Sequence, residues 1–380
     1  MTRRRIVQVG KYYPPHMGGI ETHLEALCGQ LARRFDVRVI ACNHRPGRST
    51  EIRDGIPVER LSTPFAITTA PVSPALASAV RAAAPDLLHM HLPHPGGVLG
   101  VLASGYRGPL VVTYHSDVVR QRLMSAVFRP LLDALLDRTS AILVTSTAYM
   151  ESSPVLQAYA GRCRVVPYGI PIDRFAVGDL ERARRVRERF GPKLVLAVGR
   201  LVYYKGFDVL VEAMRHVDAS LVIIGDGPLG APLRAQAAAA GVTGKITFLG
   251  ELQNEEVAPF FTAADVFVLP SVARSEAFGI VQLEAMAGGT PVVNTSLDSG
   301  VPWVSRHLET GLTVPPRDPR ALASAIERLL ADDDLRRRFG NAARARVRDE
   351  FSVGMMSERV AAIYDAVLSD SRVAAGAGGA

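Results

Sequence analysis

A chain of 380 residues that is 48% hydrophobic is long enough for two domains, each burying its own core, which excludes a single small module. Its three cysteines, Cys28, Cys42 and Cys163, share no paired spacing, so neither a disulfide framework nor a cysteine zinc site is expected and a reducing cytosol fits. The net charge of +7 belongs to the first half, where residues 1–170 carry 19 Lys and Arg against 11 Asp and Glu, while residues 171–380 carry 25 against 26. With no zinc finger, RNA-binding signature or basic stripe interleaved with aromatics, that surplus points to a phosphorylated substrate or anionic lipid rather than to nucleic acid.

The first element is the strand-like run Arg5-Ile-Val-Gln-Val9. It is too short for a signal peptide, and no run of about 18 apolar residues follows anywhere, so no membrane-spanning helix is expected. Pro14-Pro-His-Met-Gly18-Gly19-Ile-Glu21 then reads as a turn into a helix starting near Ile20. Its glycines let the backbone come close to a ligand, and Glu21 suits the positive end of the helix dipole. Strand-like runs recur at 37–41, 86–90, 110–113, 141–145 and 164–166. Amphipathic stretches long enough for crossover helices separate several of them, the pattern of a parallel doubly wound sheet.

His89, His91 and His94 suggest a metal, but no Cys, Asp or Glu completes a ligand set in that loop, so none is expected there. Tyr114-His115-Ser116-Asp117 places His115 at the carboxyl end of a strand, directed toward a ligand, and Asp117 as a helix N-cap. The helical stretch 118–136 carries Arg120, Arg122 and Arg129. Periodicity alone leaves it either a core helix with a basic outer face or an interfacial helix touching anionic lipid.

Pro167-Tyr-Gly-Ile-Pro171 interrupts the pattern before a charged helix near 180–190 and marks the domain join. The strand pattern resumes at 194–198, 221–224, 245–248, 265–269, 291–293 and 311–314, giving a second Rossmann-like half. Ligands of open parallel sheets bind beyond the strands' carboxyl ends, so two such halves facing each other are expected to form a deep cleft. A last helix near 355–369 is expected to cross back onto the first domain, and residues 371–380 to be a disordered tail.

Three constellations in the second half carry chemistry. Gly199-Arg200 and Lys205-Gly206 follow its first strand and place two cations where pyrophosphate would sit. Gly225-Asp226-Gly227-Pro228 is a tight turn, and the main chain of Glu251 and Leu252 is placed to read a base edge. Ser271 to Glu284 runs from a strand end through a loop carrying Glu276 into a helix carrying Glu284. Such a helix start offers unpaired amides to a diphosphate, while the two acids accept sugar hydroxyls.

Taken in order, GG-x-E, H-x-D, G-R-x4-K-G, G-D-G-P and E-x7-E make the chain from Arg5 to Asp318 resemble the retaining glycosyltransferases of a large bacterial family. That family includes phosphatidylinositol mannosyltransferase and many capsule and lipopolysaccharide mannosyl- and rhamnosyltransferases. The resemblance implies the α/β GT-B fold, a nucleoside-diphosphate sugar donor, no required metal and retention of configuration. It divides the chain into an acceptor-binding domain at 1–170 with the crossing helix 355–370, and a nucleotide-sugar-binding domain at 171–354.

Carried over by resemblance, Arg200 and Lys205 hold the diphosphate, Glu276 holds the donor sugar and Glu284 holds the ribose. Ala277 and the amides of Phe278, Gly279 and Ile280 line the sugar and phosphate, Gly18 and Gly19 line the phosphate from the first domain, and His115 contacts the sugar or developing positive charge. Val272-Ala-Arg-Ser lengthens the loop before Glu276 relative to the family pattern, which leaves Ser271 unassigned.

The expected reaction is transfer of a hexose, mannose from GDP-mannose before a UDP-sugar, to a lipid-linked saccharide at the cytoplasmic face of an anionic membrane, with a soluble acceptor as the alternative. A nicotinamide oxidoreductase lacks its G-x-G-x-x-G after the first strand. A nucleotide-sugar 2-epimerase or a non-catalytic sugar-nucleotide binder shares the architecture, and the complete E-x7-E set favours transfer.

Overall fold

The computed structural model describes residues 3–16, 18–44, 46–67, 70–117, 122–176 and 180–377. The chain forms two compact units, one of Met1–Gly169 with Val353–Ala380 and one of Ile170–Ser352. Among the described residues no helix is long and apolar enough to cross a membrane.

The first unit contains strands β1 (Arg5–Gly10), β2 (Asp36–Cys42), β3 (Ser49–Arg53), β4 (Ile56–Leu61), β5 (Phe65–Ile67), β6 (Ala70–Val72), β7 (Leu87–Leu92), β8 (Leu110–Tyr114), β9 (Ala141–Val144) and β10 (Cys163–Val165). Eight of them form one sheet in the order β10-β9-β8-β7-β1-β2-β4-β3, and β5 pairs with β6 separately. The central strands are buried on both faces because crossover helices cover both, and all six residues of β7 are buried, His89 and His91 among them. One edge departs from the all-parallel expectation: β3 runs antiparallel to β4. Asp54 and Gly55 join them with φ of 49° and 78°, the backbone of a two-residue hairpin turn, and this Asp-Gly pair is the signal that marks it in the sequence.

Leu24, Leu27 and Leu31 recur at helical spacing on the helix Gly19–Leu31 and enter a core shared with Met356, Val360 and Tyr364 of the helix Val353–Ala377. That last helix continues through most of the segment expected to be disordered, since alanines favour helix and the first glycine comes only at Gly376. Residues 378–380 lie outside the described residues, as do 118–121 with Arg120.

The second unit holds β11 (Leu194–Val198), β12 (Ser220–Ile224), β13 (Ile246–Gly250), β14 (Val266–Val268), β15 (Val292–Thr295) and β16 (Gly311–Val314). They form one sheet in the order β13-β12-β11-β14-β15-β16 with every neighbouring pair parallel. The strand order reverses between β11 and β14, and a crevice opens at such a reversal beyond the carboxyl ends of the strands. In the first unit the reversal lies between β1 and β7.

Candidate active site

In the second unit the segments after β11 and β14 converge at the reversal point. After β11 the chain makes a short 3-10 turn at Tyr203–Lys205 and enters the helix Phe207–Ala213 through Gly206, whose φ is 67°. A Cβ at Gly206 would overlap the carbonyl oxygen of Pro270, so only glycine lets the two loops close together. The Val272 amide donates to the Tyr204 carbonyl at 2.8 Å and ties them. Gly225 does the same for the turn after β12: its φ is 131°, and a side chain there would strike the Gly199 carbonyl. Leu201 N donates to Asp226 O at 2.9 Å across the same junction.

This framing presses Lys205 against Glu276. Their Nζ and Oε2 lie 2.6 Å apart, with side chains only 12% and 10% exposed. Ser271 Oγ donates to the same Glu276 oxygen at 3.2 Å. Ser271, unassigned on spacing grounds, is thus a fixed partner of Glu276, and its carbonyl accepts from Thr295 Oγ1 at 2.6 Å. Burial alone would lower the Lys205 ammonium, but the carboxylate of Glu276 with Tyr204 and Glu284 outweighs it and holds the group above its ordinary value. Arg200 is exposed, and its guanidinium has no partner among the described residues.

Glu284 sits in the first turn of the helix Val281–Gly288. Burial pushes its carboxyl up to about 7, with Arg174 and Lys205 pulling the other way. No sequence signal marked Arg174, which follows the proline-rich join. Gly279 before the helix has φ of 73°, and a Cβ there would come 2.6 Å from Leu269 Cδ2. Among the described residues neither the Gly279 nor the Ile280 amide donates to a protein acceptor, which leaves two donors for an anion. Ala277 and Phe278 are buried, and the Ala277 carbonyl accepts from Gly300 N at 2.7 Å. Glu251 is exposed and Leu252 part-buried beyond the end of β13.

In the first unit Gly18 and Gly19 are exposed at the start of the helix Gly19–Leu31. Gly18 has φ of 171°, extended backbone open to any residue, so conformation does not demand glycine there. The constraint is the Glu21 carboxylate, which occupies the place a Cβ would take. Arg60, buried on β4, donates to the carbonyls of Tyr13, at 3.0 Å, and Pro14, and fixes the base of this loop.

The histidines are arranged differently from the sequence expectation. His115 is 3% exposed, with Nε2 2.9 Å from His91 Nδ1 and Nδ1 bonded to the Tyr168 hydroxyl, so both ring nitrogens are engaged within the unit. Residues 118–121, which Asp117 would cap, lie outside the described residues, and Asp117 Oδ1 accepts from Tyr114 OH and Ser153 Oγ, each at 2.8 Å. His94 lies apart from His89 and His91, beside Cys42 at the start of the helix Pro95–Ala103. His23 takes its place, with ring centroids 5.9 Å from His91 and 5.2 Å from His115.

One directed chain of hydrogen bonds runs through this cluster. Gln8 Nε2 donates to the Tyr364 oxygen at 2.9 Å, so the Tyr364 hydroxyl donates to His89 Nδ1 and His89 Nε2–H to Thr113. Gln8 Oε1 accepts from His91 Nε2–H at 3.0 Å, His91 Nδ1 therefore accepts from His115 Nε2–H, and His115 Nδ1 accepts from Tyr168. Burial lowers His23 and His89 to about 3 and His91 and His115 well below their ordinary value, so all four imidazoles are neutral at neutral pH.

Residues 181–346 match the family of glycosyl transferases group 1, and residues 17–174 match glycosyltransferase family 4. The chain is 34% identical to the D-rhamnosyltransferase WbpZ of Pseudomonas aeruginosa over 90% of each chain. It is 29% identical to the O-antigen chain mannosyltransferase C of Escherichia coli over 96% of this chain and 99% of that one. Among solved structures, sucrose-phosphate synthase from Thermosynechococcus elongatus superposes with a TM-score of 0.83 at 25% identity, covering 97% of this chain and 100% of that one. HepE of Anabaena, solved with UDP and glucose, gives 0.79 at 20% identity over 95% and 99%. The chain belongs to the group 1 glycosyltransferases and has their two-Rossmann GT-B fold.

Proposed function

We propose that the protein transfers a hexose, mannose from GDP-mannose, to a hydroxyl of a lipid-linked saccharide or polysaccharide precursor with retention of configuration. The observation that carries this reading is the buried Lys205–Glu276 pair beside the unpaired Arg200 guanidinium and the free Gly279 and Ile280 amides. Arg200, Lys205 and the two amides face the diphosphate and stabilise the charge that builds on it as the glycosidic bond breaks. They supply enough positive character for the leaving group to depart without a divalent ion. Glu276, held by Lys205 and Ser271, orients the donor sugar beside the oxocarbenium-like centre, and Glu284 takes the ribose. The departing phosphate oxygen accepts the acceptor proton on the same face, so no separate base is required. His115 is left out as a direct sugar ligand because it is buried against His91 and Tyr168.

The mannosyl and rhamnosyl chemistry of the relatives supports the donor assignment. The GDP-mannose-dependent phosphatidylinositol monomannoside mannosyltransferase of Mycolicibacterium smegmatis, 30% identical over 87% of this chain, supports a lipid-linked acceptor. The basic first half supports work at the cytoplasmic face of an anionic membrane. Calorimetric titration with GDP-, UDP- and dTDP-sugars, followed by the anomeric configuration of the product by NMR, tests the reading. Binding of GDP-mannose with slow release of free mannose supports it. Exclusive binding of another nucleotide, an inverted product, or binding with no turnover overturns the donor, the stereochemistry or the catalysis respectively.

A further inference from the structure

We infer that the first unit contains a Zn2+ site formed by His23, His91 and His115. The three imidazoles come from the helix Gly19–Leu31, from β7 and from the residue after β8, and one ring nitrogen of each lies within 4.8 Å of the others. The ring centroids are 5.2, 5.2 and 5.9 Å apart. With Zn–N distances of about 2.0–2.1 Å, imidazoles sharing a tetrahedral ion place their centroids roughly 5 Å apart, so the rings already stand at ligating separation.

Two further observations point to a ligand. His23 is 6% exposed, and both of its ring nitrogens are buried without a hydrogen-bond partner. Leaving such groups unsatisfied is costly, and an ion accepting the imidazole lone pair satisfies one of the two nitrogens. The other two rings have the outer partners that metal-ligating histidines use. His91 Nε2 faces Gln8 Oε1 and His115 Nδ1 faces the Tyr168 oxygen, which turns His91 Nδ1 and His115 Nε2 toward the shared centre.

The proton balance is simple. His91 Nδ1 already carries a lone pair, since its other nitrogen must donate to a carbonyl oxygen. His115 frees Nε2 by carrying its proton on Nδ1 instead, with the Tyr168 oxygen as acceptor, so no net proton is released. An all-imidazole set suits Zn2+ and other late first-row ions and disfavours Mg2+ and Ca2+. The site is independent of the glycosyl-transfer reading, because no donor group takes part.

The test uses the full chain, stripped with chelator and dialysed. Titration with Zn2+ followed by calorimetry should give one tight equivalent per chain, and Co2+ should give the visible ligand-field absorption of a four-coordinate centre. The thermal midpoint should rise with free Zn2+ concentration. His23→Gln should abolish the tight equivalent and the Co2+ band, and Gln8→Met, which removes the acceptor behind His91, should weaken Zn2+ by about 10–100-fold. Circular dichroism verifies that each variant is folded. A stripped wild-type chain that takes up no tight Zn2+ overturns the inference without reference to any variant, as does Zn2+ uptake left unchanged by His23→Gln.

Discussion

Lys205 Nζ stands 2.6 Å from Glu276 Oε2, and neither side chain is more than 12% exposed. Replacing Glu276 by Gln keeps the volume but removes the charge that holds the lysine and that, in the proposed reaction, orients the sugar. Turnover should fall by about 10³-fold or more while nucleotide affinity changes little, because the loss is confined to the transition state. Comparison of kcat with the calorimetric Kd for the nucleotide checks this, and near-normal kcat would remove Glu276 from the reaction.

Gly206→Ala adds a Cβ both at φ of 67° and against the Pro270 carbonyl. The two loops cannot stay in register, so unfolding free energy from urea titration should drop by about 2–4 kcal/mol. Donor affinity should weaken with it, since Lys205 precedes this residue. An unchanged midpoint would mean that the loop junction is looser than it stands here.

Glu284 titrates at about 7, above the ordinary carboxyl value of 4.5. If its carboxylate accepts the ribose hydroxyls, nucleotide affinity should rise about tenfold between pH 6 and 8, and Glu284→Gln should flatten that profile. The stability sign is opposite. A raised carboxyl favours the folded state below about 4.5 and loses that contribution as pH rises through about 7. Wild type should therefore lose part of its stability relative to Glu284→Gln over this window.

The buried histidines make the reverse demand. His23, His89 and His94 are lowered to about 3 from 6.5, so the folded state gives up protons that the unfolded chain would bind. Their contribution is complete above about 6.5 and disappears as pH falls toward 3. Each adds a slope of up to about 1.4 kcal/mol per pH unit in that range. Acid unfolding monitored by circular dichroism should show it, with a shallower slope in a folded His89→Gln variant.

Arg60→Met leaves the carbonyls of Tyr13 and Pro14 without their buried donor. The expected cost is about 1–3 kcal/mol, read as a lower denaturant midpoint.

The alternation of apolar runs and amphipathic stretches made the two sheets legible, because parallel strands buried on both faces leave continuous Val, Ile and Leu runs such as Leu194-Val-Leu-Ala-Val198. The β3–β4 hairpin escaped notice because its edge strand, Ser49–Arg53, is exposed and polar, though Asp54-Gly55 marked the turn. Arg200, Lys205 and Glu276 stand out in the sequence because they lie in the segments that follow the ends of β11 and β14, while Glu284 stands out by its spacing from Glu276, in the helix behind. What sequence could not give was partnership across distance. His23 meets His91 and His115 through the fold alone, Gln8 reaches Tyr364 across 356 positions, and Asp117 meets Ser153 across 36.

The first unit closes its core with the helix Val353–Ala377, which follows the second unit in the chain. Met356, Val360 and Tyr364 complete the packing around Leu24 and Leu27, and the Tyr364 hydroxyl completes the polar chain through Gln8 and His89. During synthesis the inserted unit, continuous from Ile170 to Ser352, emerges whole before these residues do. The half that the ribosome makes first therefore finishes folding last, and a nonsense codon shortly after Ser352 damages the beginning of the protein rather than its end.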